Sequence, residues 1–133
     1  MRALGWSRAA MIAGVFVAAC GGMAYAASSP VFYGGEPDLD ACTSQGEVTG
    51  LDPAGDNYLA VRAGPAVTYQ MLDTLASGSR VHTCDDNGNW IGIVYPVNGQ
   101  DCGTGTSLTQ RKPYKGPCKS GWVFGKYITI VSG

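Results

Sequence analysis

Short runs of apolar residues, each closed by turn residues, make up the chain from Glu47 to its C-terminus. Around Leu59 and Val61 the apolar positions alternate with other residues, which is the period of a strand with one buried face. No run repeats apolar residues over three turns at the 3.6-residue period of a helix. The pattern predicts five to seven short strands, with candidates at residues 47–51, 58–62, 71–75, 81–84, 90–95, 122–124 and 127–131.

The clearest turn signal is the Asn87-Gly88 pair, which lies between the apolar runs that end at Cys84 and begin at Trp90. A tight hairpin turn needs positive φ angles, which Asn and Gly adopt more readily than other residues. We therefore predict a β-hairpin here, with positive φ at both central residues.

Composition limits the size and class of the fold. The 133 residues are 45% hydrophobic and include 20 Gly and 7 Pro. This apolar content is sufficient for a folded core, and the length allows one small domain. Because Gly and Pro interrupt helices, this composition does not favour a helical bundle. We expect an all-β fold, and the short chain favours a small barrel over a two-sheet sandwich.

The first 26 residues have the pattern of a signal peptide. Arg2 and Arg8 form a basic start, residues 9–19 are apolar, and residues 24–26 supply the small-x-small pattern of a cleavage site. The apolar stretch is short for a permanent membrane span. These features predict a periplasmic or secreted protein.

A second interpretation of the same segment is a lipoprotein signal. Residues 17–21 resemble a bacterial lipobox, in which Cys20 would be lipidated and become the new N-terminus. The alternative prediction is therefore a membrane-anchored lipoprotein, whose only membrane contact would be the lipid on Cys20.

Four cysteines remain after either cleavage: Cys42, Cys84, Cys102 and Cys118. An even number in a small exported domain indicates two disulfides, for which three pairings exist. Zinc ligands usually include close pairs such as C-x-x-C, which are absent here, and the chain has only one histidine. We favour Cys102–Cys118, which would close one long loop, and this leaves Cys42–Cys84.

Charge is distributed unevenly along the chain. Residues 27–101 carry ten acidic and two basic side chains, a balance of −8, whereas residues 102–133 carry five basic and no acidic ones, a balance of +5. The basic part includes Arg111, Lys112 and Lys115, which form either a solvated loop or a contact for an anionic partner. Nucleic acid is not expected as that partner, because the exported part is acidic overall.

Three motifs occur in the order found in the bacterial SH3 (SH3b) family, which the chain resembles. They are Leu59-Ala60-Val61-Arg62-Ala63-Gly64-Pro65, Asn89-Trp90-Ile91-Gly92-Ile93 and Ser120-Gly121-Trp122-Val123. The resemblance covers about residues 45–131 and implies a small SH3-like barrel. SH3b domains target the cell wall or its peptide stems. Since no enzyme domain accompanies this one, the resemblance implies a stand-alone binding or scaffold role.

Two segments depart from the family pattern. Residues 27–44 form an N-terminal extension, and residues 96–119 form an insertion within the SH3b-like domain at residues 45–132. We expect the insertion to be tied by its own disulfide and to contribute little apolar burial, because it is rich in Gly, Thr and Lys.

The sequence offers few groups for catalysis. His82 is the only histidine and lies mid-strand, where an ordinary strand residue is the simpler interpretation. Oxidised cysteines provide no thiolate nucleophile. We therefore predict a non-enzymatic protein with no cofactor and no metal.

Aromatic residues are numerous for a small domain. Some rings are needed for the core, and others can line a surface groove for an extended peptide or glycan. We predict a ligand surface that combines the rings with the basic insertion: Tyr69, Trp90, Tyr127, Arg111, Lys112 and Lys115. The predicted function is binding of a cell-wall polymer or peptide. The alternative is an inhibitor or assembly factor that docks on another envelope protein.

Overall fold

The computed structural model describes residues 25–133. Over this range the small all-β class is confirmed, because the only helix is one 3-10 turn, Gly125–Tyr127. The strands are β1 (Phe32–Tyr33), β2 (Ser44–Val48), β3 (Leu59–Arg62), β4 (Met71–Leu75), β5 (Arg80–Asn87), β6 (Trp90–Tyr95), β7 (Lys112–Pro113), β8 (Lys119–Phe124) and β9 (Ile128–Ser132). Cys20, and all but the last two residues of the predicted signal peptide, lie outside the described range.

Seven strands form one antiparallel sheet in the order β4-β3-β8-β6-β5-β2-β9. Within residues 25–133, β4 pairs only with β3 and β9 only with β2. The sheet therefore has two free edges and differs from the expected barrel in not closing. The exposed apolar side chains Met71 and Leu72 on β4, and Ile130 and Val131 on β9, are consistent with edges that do not meet.

One face of the sheet forms the main core. Its buried residues alternate along the strands and come from both halves of the sheet: Val48, Leu59, Val61, Val81, Ile93, Tyr95 and Val123. Because β3 and β2 are separated by three strands yet share this cluster, the sheet curls around its inner face. Full burial of each aliphatic side chain contributes roughly 1.5–3 kcal/mol.

The predicted hairpin joins β5 and β6. Asn87 pairs with Trp90, so the two central residues are Gly88 and Asn89, one position later than expected. Gly88 has a φ of 61°, whereas Asn89 is not at positive φ. A turn with positive φ only at its first central residue is of the II′ kind, in which Gly is required at that position.

The N-terminal extension and the insertion pack together on the outer face of the sheet. Phe32 of β1 pairs with Pro113 of β7, and the backbone N–H of Tyr114 donates to Val31 O at 2.8 Å. Ser29 continues this contact, because its carbonyl accepts from the Trp122 indole N–H at 2.8 Å. The two segments that depart from the SH3b pattern thus form one added layer.

This layer has a small core of its own. Val94 of β6 packs with Cys102 and Tyr114, and all three are buried. The expectation that the insertion buries little apolar surface is therefore wrong. The reason is the Tyr114 ring, which turns inward from a segment that is rich in small and charged residues.

The disulfides are Cys42–Cys84 and Cys102–Cys118, the pairing favoured from the sequence. Two such bridges indicate an oxidising compartment. Among residues 25–133, none of the helical structure has the length and apolarity needed to cross a membrane.

Candidate functional site

A groove of about 680 Å³ lies on the outer face of the sheet, alongside β3. Ala60 and Arg62 face it because they alternate with the core residues Leu59 and Val61. The other walls come from the loop at residues 51–58, the loop after β3, the start of β6, the end of β8 and the 3-10 turn. The lining includes Asp52, Asp56, Tyr58, Arg62, Val67, Met71, Trp90, Phe124 and Tyr127.

A row of aromatic rings forms one side of this groove. Trp90 and Phe124 are cross-strand partners, and their rings meet edge to face with centroids 5.6 Å apart. The Tyr127 ring follows at 6.3 Å from the Phe124 ring. The Gly125 N–H donates to Asn89 O at 2.7 Å and fixes the 3-10 turn beside the hairpin. Pairing of β6 with β8 therefore positions the Trp90 and Phe124 rings, and the Gly125 hydrogen bond positions the turn that carries Tyr127.

The opposite side of the groove is apolar and open. Val67 is 70% exposed and Met71 is 44% exposed. Tyr58 adds a fourth ring, which is 39% exposed. These side chains have little to bury against in the described part of the chain, so they are available to a ligand.

Of the charged groups in the groove, the Arg62 guanidinium has a hydrogen-bond partner, whereas the two carboxylates have no cationic partner in the described range. Arg62 Nη1 donates to Tyr69 O at 3.0 Å, which fixes its guanidinium against the loop after β3. Asp52 and Asp56 are exposed, and neither takes part in an ion pair within residues 25–133. One Asp52 oxygen accepts the Ala54 N–H at 2.9 Å, which holds the carboxylate at the rim.

The structure brings together two of the six predicted site residues. Trp90 and Tyr127 line the groove. Tyr69 does not line it, because its ring lies against Gly64, where there is no side chain to displace it. The backbone carbonyl of Tyr69 nevertheless contributes indirectly by holding Arg62.

The three predicted basic residues lie in the added layer and not in the groove. Arg111 forms an ion pair with Asp85, and its guanidinium lies 5.5 Å from the centroid of the Phe32 ring. Lys112 and Lys115 are exposed and form no ion pair in the described range. The predicted combined surface is therefore divided between two parts of the molecule, the groove and the added layer.

Sequence reasoning missed several groove residues, among them Tyr58, Val67 and Phe124. Phe124 had a usable signal, because it lies two positions after Trp122 in a strand and therefore on the same face. Val67 had none, because a loop residue has no alternation from which to infer its direction.

His82 lies at a separate polar cavity of about 230 Å³, with Asp40, Ser44 and Gln45 among its neighbours. Burial lowers the pKa of the imidazole below its usual range, and the charge of Asp101 partly opposes this shift. No group of three His, Cys, Asp or Glu residues within 25–133 is arranged to hold a metal ion.

Comparison of the chain with protein-family models, with curated proteins and with solved structures finds no match.

Proposed function

We propose that this protein is a non-enzymatic binding module of the SH3b type that acts at the cell envelope. Its ligand is an extended peptide, most directly the peptide part of the wall polymer, and the groove lined by Trp90 and Tyr127 receives it. The observation that carries this proposal is the groove, which combines four rings with exposed apolar side chains on a rigid sheet.

The groove has the size and chemistry of a ligand site. Its volume of about 680 Å³ falls in the range of sites that take small molecules or short peptide segments. Tyr and Trp rings supply flat contact area at a low cost in side-chain entropy. An open groove with one ring-lined wall suits a chain that lies along it.

The compartment is part of the same proposal. The two disulfides indicate oxidising conditions. The signal-like segment at residues 1–26 specifies this further as the periplasm or the cell exterior. In a bacterium with such a segment, the wall polymer is the extended peptide-bearing ligand that the protein would meet.

Lys112 and Lys115 have a secondary role in this proposal. Exposed ammonium groups attract an anionic polymer over about one Debye length, which is roughly 8 Å at physiological salt. We expect binding to weaken as salt rises. Arg111 is unsuitable for testing this role, because reversing its charge would also place a carboxylate against Asp85.

Cosedimentation of the purified, disulfide-bonded protein with isolated cell-wall sacculi tests the proposal. The informative variant is Val67→Lys, because this side chain lines the groove and is 70% exposed, so that a lysine there fills the groove and adds a positive charge. The matched control is Val97→Lys, a substitution of the same kind at a site that is 52% exposed and does not line the groove. We expect wild type and Val97→Lys to pellet, and Val67→Lys to remain in the supernatant.

Equal pelleting of both variants would place the binding surface elsewhere. No pelleting of the wild type would reject the wall as the ligand. If a single envelope protein then co-purified with the wild type but not with Val67→Lys, the groove would serve an inhibitor or assembly factor instead.

A further inference from the structure

We propose that the group recognised in the groove is a primary amine carried by a peptide stem of the wall. This inference rests on the proposed function and adds the chemical class of the recognised group. It follows from two independent features of the groove, the carboxylates at its rim and the aromatic rings along its wall.

Neither Asp52 nor Asp56 has a cationic partner in the described part of the chain, and the Asp52 carboxylate is held in place. The loop at residues 51–58 turns tightly at Asp52, whose carbonyl accepts the Gly55 N–H at 2.9 Å while its side chain accepts the Ala54 N–H at 2.9 Å. Asp56 follows on the same loop and also lines the groove. Because neither carboxylate is engaged in an ion pair within residues 25–133, both are available to a ligand cation.

The rings provide the second contact for a cation. An ammonium over the face of Trp or Tyr is attracted by the ring quadrupole, most strongly by that of Trp. Lys126 already illustrates this contact, since its Nζ lies 5.6 Å from the centroid of the Tyr127 ring. The Trp90 ring lines the same groove.

The charges of the lining favour an amine over a carboxylate as the recognised group. The charged residues that line the groove are Asp52, Asp56 and Arg62, and the guanidinium of Arg62 is committed to the Tyr69 carbonyl. A ligand ammonium would meet two carboxylates and a ring face. Among the lining residues, a ligand carboxylate would meet only the remaining donors of Arg62, since Lys126 lies beside the Tyr127 ring but not in the lining.

The test compares untreated sacculi with sacculi whose free amines have been acetylated by N-hydroxysuccinimidyl acetate. The variant is Asp52→Asn/Asp56→Asn, which removes both charges and keeps the oxygen that accepts the Ala54 N–H. The control is Glu36→Gln/Asp38→Asn, which makes the same charge change on a loop that does not line the groove.

We expect acetylation to weaken binding of wild type and control by about fivefold, the effect of one exposed ion pair together with a cation–π contact. The Asp52→Asn/Asp56→Asn variant lacks the ion pair but keeps the ring contact, so it should bind untreated sacculi about twofold more weakly than the wild type and lose only about twofold more on acetylation.

Equal losses on acetylation for wild type and the groove variant, or no loss for either, would overturn the amine assignment while leaving the wall-binding function in place. Failure of the wild type to bind untreated sacculi would instead reject the proposed function, and the amine assignment with it.

Discussion

The buried residue Tyr95 belongs to a polar cluster that joins three strands of the sheet. Its hydroxyl, on β6, donates to Asp73 Oδ2 on β4 at 2.9 Å. Lys119, on β8, approaches the same oxygen at 3.4 Å. Among the described strands, β4 is hydrogen-bonded along its length only to β3, so this cluster is an additional attachment of the edge strand.

The cluster shifts the pKa of both acids in opposite directions. Burial of Tyr95, together with its bond to the Asp73 carboxylate, raises the pKa of the phenol. A hydrogen bond from the Thr74 N–H is the main cause that lowers the pKa of Asp73, with smaller help from Tyr95 and Lys119 and against opposition from burial. The neutral phenol and the charged carboxylate are the forms that the fold favours.

Replacing Tyr95 by Phe should lower the free energy of unfolding by about 1 kcal/mol near neutral pH, the usual value of one such hydrogen bond. The difference should shrink above pH 10. A raised folded-state pKa stabilises the protein below the ordinary tyrosine pKa, and this contribution is lost as pH rises through it. Urea unfolding between pH 7 and pH 11 measures both effects.

Tyr58→Phe is the control for this change, because Tyr58 is 39% exposed and its hydroxyl has no hydrogen-bond partner in the described range. It should leave the wild-type pH dependence intact. If Tyr95→Phe lost stability above pH 10 as steeply as the wild type, the buried phenol would not be the group responsible.

For individual residues, the sequence predicted that aromatic rings line a groove, but it did not predict correctly where every ring lies. Trp90 and Tyr127 were expected to line a ligand surface, and both line the groove. Tyr69 was grouped with them, but its ring packs on Gly64. The direction of a loop side chain depends on which backbone leaves space for it, and no local pattern in the sequence encodes that space.

Among the elements, the insertion is held at both ends by one side chain. The Tyr114 hydroxyl donates to Cys102 O at 2.7 Å and accepts from the Cys118 N–H at 3.2 Å. It therefore contacts both half-cystines of the loop disulfide. The Tyr33 ring from β1 packs edge to face on Tyr114 at 5.0 Å between centroids, which joins the extension to the same unit.

The double change Cys102→Ser/Cys118→Ser should loosen this added layer and leave the seven-stranded sheet cooperative. The sheet has its own core, to which neither cysteine belongs. Hydrogen exchange is the measurement. The Tyr114 amide, which donates to Val31 O, should exchange faster, whereas amides of β8 such as that of Val123 should stay protected.

The contrasting result would be loss of the cooperative unfolding transition in the double variant. It would mean that the added layer is required for the sheet to fold, and that the outer-face contact of Ser29 with Trp122 contributes more than its single hydrogen bond suggests. Tyr114→Phe keeps the disulfide and removes the hydroxyl. It therefore shows whether the loss of cooperativity comes from the missing disulfide or from the missing hydrogen bonds of Tyr114.

Elements with strong alternation or a clear turn were predicted closely. Strands at residues 71–75 and 90–95 have the predicted bounds. The first predicted strand, at residues 47–51, instead occupies residues 44–48, and Gly50 lies beyond it at a φ of 77°. β1 and β7 were not predicted, because two-residue strands arise from contacts between distant segments and have no period of their own.

At the scale of the whole molecule, cleavage of the N-terminal segment determines where the mature chain begins. We expect the mature chain to begin at Ala27, with all four remaining cysteines oxidised, because both observed bridges lie after that position. Intact mass of the protein recovered from its native compartment, with and without reduction, measures both points. Reduction should add the mass of four hydrogens.

A mass that corresponds to a diacylated N-terminal Cys20 would show the lipoprotein alternative to be correct. Ser29 is the first residue held by the sheet, through its N–H to Ala63 O and its carbonyl to Trp122. Either processed N-terminus would therefore leave that attachment in place, and the groove would be the same in both forms.

The strand order also determines when the sheet can assemble. Within residues 25–133, strand pairing joins the hairpin of β3 and β4 to the rest of the sheet only through β8, and β2 is flanked on one side by β9. β8 and β9 follow the other described strands along the chain, so the hairpins β3–β4 and β5–β6 can form locally but remain unconnected until β8 is present. Such distant pairings make folding slow, on the order of milliseconds to seconds. A chain that crosses a membrane from its N-terminus would thus lack its complete sheet until β8 and β9 had passed.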